Sequence, residues 1–189
     1  AKLVQGDTTL LANRLEAKYD AKSGDSSELT EIEAFDNVEI LNDGVRVTAD
    51  KGIYDLGTEV AKLTGENLKM ISKDYTLTAE QYFEYSALKN FVKAVGDAQI
   101  LQNGDRLRTN VLIAKLGTDA NGATIVKTVD APGFVRIITE NEVITGARGQ
   151  YDAISQIAVL TGDVKITQGQ NVLSGERARV DMKTGVSQL

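Results

Sequence analysis

Arg46-Val47-Thr48-Ala49-Asp50-Lys51-Gly52-Ile53-Tyr54-Asp55 recurs further along the chain as Val143-Ile144-Thr145-Gly146-Ala147-Arg148-Gly149-Gln150-Tyr151-Asp152. The Ala61-Lys62-Leu63-Thr64-Gly65 that follows recurs as Ala158-Val159-Leu160-Thr161-Gly162. Self-similarity at this range marks a fold built from stacked supersecondary units. Weaker copies, aligned on a small or short residue, give the series Ala12, Ala49, Ala79, Thr109, Gly146 and Gly175. The chain thus reads as six units of roughly thirty residues.

Each unit has two halves. The first reads apolar-x-small-x-x-apolar-x-apolar, as in Leu10, Ala12, Leu15, Ala17 or Leu107, Thr109, Leu112, Ala114. The second alternates with period two: Ala34, Asp36, Val38, Ile40; Ala94, Gly96, Ala98, Ile100; Ala131, Gly133, Val135, Ile137; Leu160, Gly162, Val164, Ile166. Such alternation puts one apolar face on a half-buried strand. Asn42-Asp43-Gly44, Asn103-Gly104, Asp55 to Gly57 and Asp181 to Gly185 supply the residues that tight hairpins require. Leu77, Gln81, Glu84 and Leu88 fall at helical spacing, but their place in the repeat assigns strand. The fold class expected is all-β and antiparallel, with a parallel β-solenoid as the alternative that the hairpin signals disfavour.

Gly65, Gly96, Gly133 and Gly162 fall mid-strand in this register, where glycine marks a sharp bend or close backbone approach. A sheet bent at one level in every unit curls into a trough. Glu66 or Asn67 is an added residue that flips the apolar face unless a bulge absorbs it, and the Ala49-to-Gly52 step suggests another bend. The Ser-, Gly-, Asp- and Asn-rich segments 21–30 and 117–124 are expected as exposed loops. Ala1-Lys2-Leu3-Val4-Gln5-Gly6 matches Val164-Lys165-Ile166-Thr167-Gln168-Gly169. The chain is therefore expected to start inside a unit, with a strand and an export signal upstream.

Composition narrows the chemistry. The chain has 189 residues, enough to bury a substantial core in a single domain over 1–189. It has neither cysteine nor histidine, which removes disulfides, Cys/His zinc sites, thiol nucleophiles and His-dependent proton transfer. Against 27 acidic side chains stand 21 basic ones, so the net charge of −6 offers nucleic acid no footprint. No apolar run reaches the roughly 20 residues of a spanning helix. Gly146-Ala147-Arg148-Gly149 is too short for a phosphate-binding loop, so no energy source is encoded. The carboxylate pairs Glu31/Glu33, Glu140/Glu142 and Asp50/Asp55 read as a solvated strand face, and no cofactor, metal or enzymatic activity is expected.

Several runs together resemble the OstA-like family. They are Thr145-Gly146-Ala147-Arg148-Gly149-Gln150-Tyr151-Asp152; Ala158 to Gly175; Val180-Asp181-Met182-Lys183-Thr184-Gly185; and Gln5-Gly6-Asp7-Thr8-Thr9-Leu10-Leu11-Ala12-Asn13-Arg14-Leu15. The likeness covers almost the whole chain. It implies an open V-shaped β-jellyroll whose apolar interior holds the acyl chains of lipopolysaccharide in the periplasm. It further implies end-to-end strand pairing with an LptC-type protein, with the LptD-type outer-membrane protein and with further copies of the chain. An LptC-like periplasmic domain is the sibling reading, and a purely structural β-repeat or adhesin module without lipid is the reading from another class.

The inward columns then become the candidate groove: Val38, Ile40, Ala49, Tyr54, Leu68, Met70, Ala98, Ile100, Val135, Ile137, Val164 and Ile166. They mix small with branched residues, and only 5% of the chain is aromatic, so few large side chains are available to plug a slot. Tyr19, Tyr54 and Tyr151 occupy one place in their units, at the mouth or capping the core; Arg14, Arg148 and Arg177 recur beside the small residue, as partners for nearby carboxylates or, in the alternative, as contacts for a phosphate. Strand edges near 1–11 and 172–189 are expected to pair with a neighbour.

Overall fold

The computed structural model describes residues 1–21, 27–86, 88–122 and 124–189; within them eighteen strands form one antiparallel sheet. After β1 (Lys2–Gln5) the strands follow a repeated scheme. The first set is β2 (Thr8–Leu11), β3 (Arg14–Ala21), β4 (Ser27–Asn42), β5 (Val45–Asp55), β6 (Val60–Thr64) and β7 (Lys69–Ile71). The second is β8 (Thr76–Thr78), β9 (Tyr82–Ser86), β10 (Phe91–Gln102), β11 (Asp105–Thr118), β12 (Thr124–Ala131) and β13 (Val135–Ile138). The third is β14 (Val143–Gly146), β15 (Arg148–Asp152), β16 (Ile157–Gln168), β17 (Asn171–Asp181) and β18 (Val186–Gln188). Each set crosses the sheet first as a broken pair and then as two long strands, and the first two sets cross once more as a second broken pair, β6 with β7 and β12 with β13.

The first long strand of every set carries the same defect. Asp36 and Asn37 of β4 lie opposite the single Asp50; Gly96 and Asp97 of β10 oppose Asn110; Gly162 and Asp163 of β16 oppose Glu176. All six bulge residues have positive φ, from 42° at Asp97 to 85° at Gly96. Glycine, Asp and Asn are the residues that tolerate this region, which explains why these positions read as they do. Two left-handed residues in succession turn the strand sharply. Since the bulges share one level with the breaks between β2 and β3, β8 and β9, and β14 and β15, the sheet folds along a line into two walls.

The first wall runs β1, β2, the end of β4, the start of β5, β7, β8, the end of β10, the start of β11, β13, β14, the end of β16 and the start of β17. The second wall holds the remaining halves with β3, β6, β9, β12, β15 and β18. The rims differ in their turns. Asp43-Gly44 and Asn103-Gly104 on the first wall are two-residue hairpins with positive φ at both positions. On the second wall Asp55, Asp152 and Asp181 open longer loops by accepting the N–H of Thr58 at 2.7 Å, Ser155 at 2.8 Å and Thr184 at 3.0 Å.

Between the walls lie two buried apolar clusters, one from Ala12 to Val129 and one from Ala131 to Val180. Alanines concentrate near the fold line, with Ala49, Ala94, Ala98 and Ala178 all buried. Small side chains there let the walls approach.

The sequence expectations need four corrections. Gly65 and Gly133 sit in the breaks between strands rather than mid-strand, since each follows or precedes a strand end. The added residue after Gly65 is absorbed by that break: Asp50 accepts the N–H of Glu66 at 2.6 Å and the amide of Asn67 at 3.3 Å, leaving Leu68 buried and facing inward. Segment 21–30 is strand at residue 21 and again over 27–30, with 22–26 outside the described residues. Segment 117–124 begins and ends in paired strand, because Gly117 pairs with Ile125 and Thr118 with Thr124.

Candidate functional site

The hairpin registers align one inward residue from every pass across the first wall. Leu3 pairs with Leu10, Leu10 with Ile40, Ile40 with Val47, Val47 with Met70 and Met70 with Leu77. Leu77 pairs with Ile100, Ile100 with Leu107, Leu107 with Ile137, Ile137 with Ile144, Ile144 with Ile166 and Ile166 with Leu173. Every member of this row is aliphatic. At about 4.8 Å between strands the row extends about 50 Å.

A second row faces it from the other wall. Ala17, Ile32, Tyr54, Ala61, Tyr85, Val92, Ala114, Val129, Tyr151, Ala158 and Val180 follow one another in register, ending at Ser187. This row differs in kind, because its large members are mostly tyrosines and small residues separate them. Burial raises the pKa of the Tyr54 and Tyr151 hydroxyls, so both phenols are neutral throughout the physiological range.

Exposure varies along the rows. Leu10, Ile40, Met70, Ile100 and Leu107 are half-buried with the buried Val47 and Leu77 among them, while Ile137, Ile144 and Ile166 are buried in succession. The half-buried positions of the row thus lie between Leu10 and Leu107, and the stretch from Ile137 to Ile166 is closed. There the Ser187 hydroxyl donates to the Glu142 carboxylate, a contact that joins β18 to the loop between β13 and β14 on the opposite wall. Leu3 and Leu173, at the two ends of the aliphatic row, are 39% and 59% exposed. Both ends of the row are left uncovered.

Of the twelve residues the sequence nominates, Val38, Ala49, Leu68, Ala98, Val135, Ile137, Val164 and Ile166 are buried in the two clusters, packed against the protein's own side chains. Ile40, Tyr54, Met70 and Ile100 are the half-buried members, placed at the mouth. Leu3, Leu10, Val47, Leu77, Leu107, Ile144 and Leu173 complete the aliphatic row and are absent from the sequence-based set. The signal that finds them is hairpin arithmetic: a two-residue turn at Asp43-Gly44 makes Ile40 and Val47 neighbours, and Asn103-Gly104 does the same for Ile100 and Leu107.

The outer surface holds the charges. Glu33 pairs with Lys18 and, at 3.0 Å, with Lys51, and these two cations hold its pKa down at about 2. Arg14 bonds Glu16 at 2.6 Å and stacks on Phe35, with its Cζ 4.3 Å from the ring centroid. Arg108 pairs with Asp97 and lowers the pKa of that carboxylate, tying the second bulge to the neighbouring strand. A cleft of about 360 Å³ opens beside it, lined largely by polar residues such as Thr48, Lys69, Glu80 and Gln99. Among the described residues no group of three His, Cys, Asp or Glu side chains is placed to hold a metal, and no helix is long and apolar enough to cross a membrane.

Comparison with known proteins agrees with the repeat. The family described as "LptA/(LptD N-terminal domain) LPS transport protein" matches twice in succession, over residues 2–83 and 78–186. No curated protein matches. The solved structure of LptH from Pseudomonas aeruginosa, described as the LptA-homologous periplasmic component of the lipopolysaccharide transport device, is 20% identical with a TM-score of 0.49. The similarity covers 60% of this chain and 80% of that one. The two family matches span nearly all of a chain made from bent hairpins around an apolar interior, and the protein belongs to the LptA/LptD amino-terminal-domain family of lipopolysaccharide transport proteins.

Proposed function

We propose that the chain is a non-enzymatic periplasmic carrier of lipopolysaccharide, working as a bridge between inner and outer membranes. A single β-jellyroll body over 1–189 holds the acyl chains between the aliphatic row of the first wall and the facing row of the second. The observation that carries this reading is the unbroken aliphatic row from Leu3 to Leu173. Each buried methylene contributes about 0.8 kcal/mol, so an acyl chain of a dozen carbons gains on the order of 10 kcal/mol from such a surface without any polar clamp. With a net charge of −6, the protein has little to attract the anionic head, which projects into water.

Packing of the interior sets the route of entry. Side chains deep in the fold are already in contact with one another, so guest chains lodge first against the half-buried Ile40, Met70 and Ile100 at the mouth. Further penetration requires the rims to part. Export of a bound lipid needs work supplied elsewhere, since the chain encodes no nucleotide site.

End-to-end assembly follows from the uncovered ends. Within the described residues β1 pairs only with β2, β3 only with β4 and β18 only with β17, leaving free strand edges at both ends of the sheet. Strand addition there by another copy, by an LptC-type protein or by an LptD-type outer-membrane protein continues the aliphatic row from one body into the next. The test is uptake of fluorescent lipid A by the purified protein, with size-exclusion chromatography over a concentration series. Saturable uptake and concentration-dependent association are expected. No uptake at any concentration contradicts the lipid reading and leaves a purely structural repeat.

A further inference from the structure

Tyr54 of β5, Ala61 of β6 and Tyr85 of β9 are successive neighbours in the second-wall row. Two strand spacings separate the tyrosines, about 10 Å from backbone to backbone, with a methyl group as the floor between them. Two large side chains at that separation, with only a methyl group between them, flank a gap about one side chain wide. Ala61 is half-buried, whereas Ala114 and Ala158 further along the row are buried, so the floor between the two tyrosines is accessible from the mouth.

The chemistry of the slot is mixed. Neither phenol has a hydrogen-bond partner among the described residues, and Tyr85 is 42% exposed at the rim. Glu59 lies close enough to Tyr54 to act on its hydroxyl electrostatically and adds a carboxylate at the same rim. A phosphate is disfavoured beside that negative charge. A pyranose ring suits the site: its C–H face stacks on aromatic faces, and its hydroxyl edge meets phenol oxygens and a carboxylate acceptor.

We propose that Tyr54 and Tyr85, with Ala61 between them, form a subsite for a sugar ring of the carried glycolipid. The inference rests on the lipid-carrier reading and adds an orientation to it. Acyl chains lie on the first wall, while one ring adjoining them is clasped at the rim of the second and the rest of the head stays in water.

Two amphiphiles with the same tail separate the subsite from the groove. Dodecyl maltoside carries sugar rings; dodecyl tetraethylene glycol ether does not. Below their critical micelle concentrations, calorimetry is expected to show the maltoside binding about tenfold tighter. In the Tyr54→Leu/Tyr85→Leu double variant, which keeps the row apolar, that preference disappears and the maltoside falls to the affinity the same variant shows for the ether. A Tyr54→Phe/Tyr85→Phe variant, which keeps both rings, retains part of the preference and guards against a folding defect. Ala61→Phe, which fills the slot, removes it. Equal affinity of the native protein for both amphiphiles, or a preference that survives the leucine variant, overturns the subsite and leaves the groove standing. Failure of both amphiphiles to bind overturns the groove and the subsite together.

Discussion

Ala147 donates its backbone N–H to the carbonyl of Gly162 at 2.8 Å, where the break between β14 and β15 meets the bulge of β16. The same bond joins Glu80 to Gly96 at 2.7 Å and Asn13 to Asp36 at 2.9 Å. In each case the first residue of the bulge, forced out of the ladder by its positive φ, satisfies its carbonyl from the broken strand beside it. Break and bulge are therefore one device used three times. It lets a continuous sheet fold into two walls without stranding buried backbone groups.

Gly96 and Gly104 separate the two costs of replacing a left-handed glycine. Their φ angles are 85° and 92°, but a Cβ at Gly96 meets the Gln81 backbone nitrogen at 2.9 Å, whereas nothing lies within 4 Å at Gly104. Gly104→Ala should cost about 1 kcal/mol, from backbone strain alone. Gly96→Ala should cost about 3 kcal/mol, because the fold line must open as well. Equilibrium urea unfolding followed by circular dichroism measures both.

Core truncations should divide by volume. Leu112 is 1% exposed beneath the second wall, and Leu112→Ala should lose about 3 kcal/mol in the same unfolding experiment. Ile144→Val, removing one methylene from a residue with no exposed surface, should lose about 1 kcal/mol.

Acid sensitivity has identified sources. Lys18 and Lys51 hold Glu33 at about 2 in the folded protein, below its ordinary 4.5. The folded-state pKa is depressed, so this stabilisation is complete above about 4.5 and is lost as pH falls toward 2. Asp55, Asp152 and Asp181, lowered by the loop N–H groups that they accept, act in the same direction below their ordinary 3.8. Glu33→Gln should flatten the decline in urea midpoint between about pH 6 and about pH 3, with Lys18→Met behaving alike.

Placing a charge on the aliphatic row should separate carriage from folding. Ile100 is half-buried at the mouth. Ile100→Asp should reduce fluorescent lipid A uptake by at least tenfold while leaving the far-ultraviolet circular dichroism of the strands intact, since a carboxylate in the acyl path carries a large desolvation cost. Lys165→Asp, on the outer face, should leave uptake unchanged.

The repeat and its strands were legible because alternation and small-residue spacing survive in every unit, as in Ala34-Asp36-Val38-Ile40. The bends at Gly96 and Gly162 were legible for the same reason. The equivalent bend at Asp36-Asn37 was not, since those residues read as an ordinary polar pair until their φ angles are known. The two rows were only half legible. A periodic pattern says which face a residue takes, but its cross-strand neighbour depends on the length of each turn, and loops such as Ser72–Tyr75 and Thr139–Glu142 alternate with two-residue hairpins. Tyr85 escaped notice because its partners Ala61 and Val92 lie on strands from different units.

Site-specific photo-crosslinking tests the conduit most directly. A photoreactive side chain at Ile40 or Ile100 should capture lipopolysaccharide during transport, and one at Lys69 or Lys165, both exposed on the outside of the first wall, should not. Adducts at the two lysines with none at the isoleucines would place the lipid on the wrong side of the sheet and contradict the account.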